Sequence, residues 1–87
     1  MSRFRLRSER LHWLESDGEV VALDERTLVY LNANQTGTVL WRALAAGTTR
    51  DDLVRSLVAE FDVGESTAAR DVDRFLADLE ARGLLER

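Results

Sequence analysis

The stretch Ser16-Asp17-Gly18-Glu19-Val20-Val21-Ala22-Leu23-Asp24-Glu25-Arg26-Thr27-Leu28-Val29-Tyr30-Leu31 decides the fold. Ser16, Asp17 and Gly18 are turn formers: short polar side chains bond nearby backbone, and glycine accepts positive φ. Residues 19–23 are a short, valine-rich apolar run. Asp24, Glu25 and Arg26 read as a second tight turn. Residues 27–31 follow as another strand, with Leu28 and Tyr30 on one face and Val29 and Leu31 on the other. Short strands separated by short turns make an antiparallel meander. Both faces of residues 27–31 are apolar, and an edge strand of that kind aggregates unless something covers it.

Toward the N-terminus the same period holds. Phe4 and Leu6 alternate with Arg3, Arg5 and Arg7, and Leu11 and Trp13 continue it. Toward the C-terminus the spacing becomes helical. Asn32 or Asn34 caps a helix reaching about residue 46, with Val39, Leu40, Ala43 and Leu44 inward and Gly47 as the stop. Thr49 with Asp52 resembles a capping box and opens a second helix, with Leu53, Leu57, Val58 and Phe61 inward. Gly64 and Glu65 open a third, where a carboxylate suits the helix dipole. It buries Ala68, Val72, Phe75, Leu76 and Leu79. Gly83 ends it, and Leu84 and Leu85 fold back as an apolar closure. Strands followed by three helices give an α+β fold, winged-helix-like, with a three-stranded antiparallel sheet.

The 87 residues make one domain, too small for both a deep catalytic pocket and a core. Cysteine is absent, which excludes a disulfide framework, a thiolate zinc site and a cysteine nucleophile. No apolar run approaches a membrane span, and no apolar stretch follows the basic N-terminus as in a signal peptide. A cytoplasmic protein is expected. The net charge is −4, and arginines and carboxylates interleave, as in Asp71, Asp73 and Arg74. A duplex binder shows a basic stripe instead, so no nucleic-acid partner is expected.

Catalytic and metal chemistry find little support. His12 has no nameable convergent partner and reads as a surface or half-buried side chain. Asp71 and Asp78, and the pair Asp51 and Asp52, lack the spacing of a calcium loop. Gly37 and Gly47 stand alone, without a phosphate loop. Ser8, Ser16, Ser56 and Ser66 lack a nucleophile-elbow context. Neither an enzyme nor a cofactor is expected. Trp41 lies on the Leu44 side of its helix and reads as core, while Trp13 stays open, because strand faces in a small sheet can be half exposed.

Three strings carry a resemblance. Residues 17–24 (Asp-Gly-Glu-Val-Val-Ala-Leu-Asp), then Tyr30-Leu31-Asn32, then residues 36–41 (Thr-Gly-Thr-Val-Leu-Trp) resemble the PqqD-like family. Residues 70–76 (Arg-Asp-Val-Asp-Arg-Phe-Leu), with Leu79 and Gly83-Leu84-Leu85, resemble that family's last helix. The resemblance runs from Phe4 to Leu85. It implies a recognition element for ribosomally made, modified peptides, in which the leader of the precursor adds a strand to the sheet edge beside the third helix. The chain most resembles the recognition half of a split lasso-peptide maturation protein, whose partners are a leader peptidase and then a cyclase. The sibling that assists pyrroloquinoline quinone synthesis is the alternative.

The resemblance places leader contacts on Thr27, Leu28, Val29, Tyr30 and Leu31 of the edge strand. On a helical wheel Asp71, Phe75, Asp78 and Arg82 form one flank of the third helix, with Arg74 beside it. That flank is expected to line the groove. A winged-helix DNA-binding protein and a structural subunit of an enzyme remain the other classes.

Overall fold

The computed structural model describes residues 3–86. Its order is β1 (Arg3–Leu6), β2 (Leu11–Ser16), β3 (Glu19–Asp24), β4 (Val29–Ala33), α1 (Gln35–Ala46), β5 (Thr48–Thr49), α2 (Arg50–Glu60), α3 (Glu65–Ala81) and β6 (Leu85–Glu86). The meander is the antiparallel sheet β2-β3-β4, as the turns required. Register sets Ala22 opposite Trp13 and Leu31, and Val20 opposite Glu15 and Ala33. Val20 and Ala22 are buried, so this face meets the helices.

The N-terminal strand leaves the meander. β1 is the centre of a second small sheet, with Phe4 opposite Thr48 of β5 and Leu6 opposite Leu85 of β6. Alternation reveals a strand but not its partner. Here the partners are the α1–α2 linker and the chain after α3. Arg7 locks the join: its guanidinium donates to the Gly83 carbonyl at 2.7 Å and to Asp24 Oδ1 at 2.6 Å, with both side chains buried.

The helices begin and end where capping chemistry allows. Asn34 Oδ1 accepts from the Gly37 N–H at 2.9 Å and caps α1; Thr49 accepts from the Asp52 N–H and caps α2. After α3, Gly83 turns at φ 71°, and the Leu84 N–H reaches back to the Leu79 carbonyl. That bond folds Leu84 fully into the core beside Leu44, Leu53, Ala68 and Val72. Each such leucine, fully buried, contributes about 1.5–3 kcal/mol.

Two helical faces differ from expectation. Val54, not Val58, is buried on α2, and Val58 is exposed. The α2 stripe that meets α3 is Leu53, Val54 and Leu57, which rotates Val58 outward. Phe75 is only partly buried, at the margin of the core. Among the described residues no helix is long and apolar enough to cross a membrane, and no group of three His, Cys, Asp or Glu residues could hold a metal.

Candidate functional site

β4 is an edge strand: β3 covers one side, and among the described residues no strand pairs with the other. Beyond that edge lies α3, and the space between is open. One hollow of about 530 Å³ is walled by Asn32 and Ala33 of β4, Gly37 and Leu40 of α1, and Asp71 and Phe75 of α3. A smaller one, about 160 Å³, adjoins it between Tyr30 and Leu31 on one side and Leu79 and Arg82 on the other. Phe75 and Asp78 line both, so the two form one groove along β4.

Three local features build this groove. Thr38, buried, accepts the Val20 N–H at 3.0 Å and donates to the Ala33 carbonyl at 3.2 Å. That pins the start of α1 to the end of the β3–β4 ladder. Gly37 then leaves room for the Phe75 ring: a Cβ there would stand 3.3 Å from Phe75 and 3.2 Å from the Ala33 Cβ. Trp41, nearly fully buried, forms part of the floor. Its ring meets Trp13 edge-to-face, centroids 6.0 Å apart, and its indole N–H has no hydrogen-bond acceptor among the described residues.

The groove's charges are loosely held. Asp71 stands 3.9 Å from Arg74 and Asp78 3.3 Å from Arg82, neighbours on α3 itself. The tight pairs lie elsewhere, as in Arg42 with Glu15 at 2.5 Å and Arg50 with Asp73 at 2.6 Å. Those hydrogen bonds from arginine hold the Glu15 and Asp73 carboxyls below their ordinary range. Exposed ion pairs contribute little to stability, so Asp71, Arg74, Asp78 and Arg82 can reorient toward a ligand at small cost. His12 is remote from the groove; its Nε2 lies 2.7 Å from Glu25.

Most of the expected residues converge. Tyr30, Leu31, Asp71, Arg74, Phe75, Asp78 and Arg82 line the groove. Val29 starts β4 but lines neither hollow. Thr27 and Leu28 are corrected: they belong to the turn over residues 25–28, not to the strand. Their N–H groups donate to the Asp24 carbonyl at 3.3 and 2.7 Å, so they are spent within the turn. The strand instead runs on to Ala33, and Asn32, Ala33, Gly37, Leu40 and Trp41 are among the lining residues that sequence reasoning missed. The Asn34 cap was the available signal, because a helix starting there leaves residues up to 33 to the strand.

Residues 19–85 match the family described as coenzyme PQQ synthesis protein D. The chain belongs to the PqqD family. Its structure is similar to TbiB1 in complex with the TbiA(beta) leader peptide, with a TM-score of 0.85 and 30% identity over 94% of each chain. It is also similar to a lasso peptide synthetase B1 complexed with the leader peptide, with a TM-score of 0.83 and 27% identity over 97% of this chain and 98% of that one. No curated protein matches the sequence. The PqqD fold thus accounts for the resemblance in the strings around Gly18, Tyr30, Trp41 and Phe75.

Proposed function

We propose that this PqqD-family domain binds the leader segment of a ribosomally made precursor peptide in the cytoplasm and holds it for a processing enzyme, a leader peptidase with a cyclase after it, in lasso-peptide biosynthesis. The unpaired edge of β4 facing the α3 groove carries this reading. It belongs to a fold shared with two proteins described in complex with leader peptides. Strand addition supplies main-chain bonds for affinity and alternating side-chain sites for specificity. Each main-chain bond contributes only about 0.5–1.5 kcal/mol net. Association costs roughly 4–15 kcal/mol. Apolar anchors entering the groove against Phe75 and Leu40 must therefore supply the balance, at about 1.5–3 kcal/mol each. The family's own description favours a second reading, a peptide chaperone for pyrroloquinoline quinone synthesis. The similar structure described as a lasso peptide synthetase B1 weighs toward the lasso route.

Calorimetric titration with the leader segment, and separately with the core segment, tests the proposal. Saturable binding of the leader alone, with a Kd of about 1 μM or tighter, is expected. Failure of the leader to bind would overturn the proposal.

A further inference from the structure

The outer face of the β2-β3-β4 sheet turns away from the core. Because Val20 and Ala22 face inward, the alternate residues His12, Leu14, Val21, Leu23, Tyr30 and Asn32 face outward, together with Ser16 and Glu19 at the turn end. A sheet with one solvated face normally reads polar there. Here four of the eight are apolar, and Leu14 is 60% exposed, Tyr30 71% and Val21 40%. They are not scattered. Leu14 pairs with Val21, Leu23 pairs with Tyr30, and Val21 and Leu23 are same-face neighbours on β3. Cross-strand pairs sit about 5 Å apart, so the four side chains form one patch.

Its rim is acidic. Asp17 and Glu19 flank one end, at the β2–β3 turn, and Glu25 the other, beside His12. Three of the nearby arginines point elsewhere. Arg7 is buried against Asp24 and Gly83, Arg42 is held by Glu15, whose strand position is on the inner face, and the Arg26 guanidinium approaches Gly83.

We propose that this outer face docks the processing enzyme through an apolar surface rimmed by basic side chains. The proposal rests on the leader-binding reading above and adds where the enzyme sits. A second copy of the chain fits poorly, since it would set Asp17, Glu19 and Glu25 against their own kind. Continuity favours the enzyme. Tyr30 belongs both to the patch and to β4, so a leader strand added at β4 extends the same surface. An enzyme seated there contacts the outward side chains of the leader and senses the loaded domain.

The test compares the wild-type chain with Leu14→Ser/Val21→Thr and with Asp17→Lys/Glu19→Lys, using the purified leader peptidase of the same precursor as probe. Leader affinity is expected to stay within about twofold in both variants, because these positions lie outside the groove. Peptidase affinity, and leader cleavage at sub-saturating domain, are expected to fall at least about tenfold in the apolar variant. The charge variant is expected to weaken capture mainly at about 0.05 M salt and much less at about 0.3 M. Wild-type-like capture and cleavage by both variants would overturn the proposal, as would a wild-type chain that does not bind the peptidase. So would a wild-type dimer that both variants convert to monomer, since the patch would then be a self-interface. Absence of leader binding by the wild-type chain refutes the leader reading instead, and direct peptidase binding still reads the patch.

Discussion

Asp24 lies where β3 enters its turn, with its carboxyl enclosed beside Arg7. Burial pushes its pKa up, but the Arg26 backbone N–H and the Arg7 guanidinium outweigh that and hold it below the ordinary value of 3.8. A depressed carboxyl stabilises the fold above its unfolded pKa, and that contribution is lost as pH falls through the folded pKa. Urea unfolding is therefore expected to show stability declining only below about pH 4. Asp24→Asn leaves Arg7 buried without its counter-charge, which is expected to cost about 3–5 kcal/mol at pH 7. The gap to wild type should narrow in acid; a gap independent of pH would refute this account. Gly37 makes a different prediction, because its backbone needs no positive φ and only space is at stake. Alanine gains about 1 kcal/mol of helix propensity, which offsets the crowding of Ala33 and Phe75. Stability of Gly37→Ala should change little, while the displaced Phe75 ring narrows the groove and weakens leader binding about tenfold. Unchanged affinity by calorimetry would mean that Phe75 moves away from the groove instead. Sequence alone marked Phe75 but not Gly37, since the two meet only once α1 and α3 are packed.

At the scale of elements, the meander and all three helices were legible, because turn residues, caps and apolar spacing agree with one another. Two strands depart from expectation, each for its own reason. The strand expected at residues 27–31 is displaced to Val29–Ala33 because Leu28 adopts φ 57°, a conformation its side chain gives no hint of. β1 was read as part of the meander because its pairing is with β5 and β6, distant in sequence. The corrected strand sharpens the test of strand addition. Along an antiparallel edge strand, successive N–H groups alternate between the neighbour and the open side. Of Tyr30→Pro and Leu31→Pro, one therefore removes a bond to β3 and is expected to lose the fold. The other removes only an outward donor; it should stay folded by circular dichroism and lose leader affinity at least about tenfold. A folded proline variant that binds the leader at the wild-type Kd would rule out main-chain pairing.

For the whole molecule, a thin core makes ligand linkage visible. Strands and helices bury a single apolar cluster around Leu44, Leu53 and Leu84, while the groove and the outer sheet face keep Leu14, Tyr30 and Phe75 at least partly exposed. The groove was expected from the resemblance to the PqqD-like family, and the helical wheel supplied only the flank of α3; the outer patch was not legible, because the register that joins Leu14 to Val21 and Leu23 to Tyr30 is a property of the paired sheet. A leader that binds only the folded domain stabilises it by about 2.7 kcal/mol at a hundredfold excess over Kd. For a domain of this size each kcal/mol moves Tm by about 4–8 °C, so saturating leader is expected to raise Tm by roughly 10–20 °C. The core segment of the same precursor should leave it unchanged. A structural subunit behaves in the opposite way: its Tm would rise with the enzyme and not with the leader. Thermal melts with leader, core segment and enzyme added separately therefore decide between a peptide-recognition domain and a structural one, whatever the absolute stability of the chain.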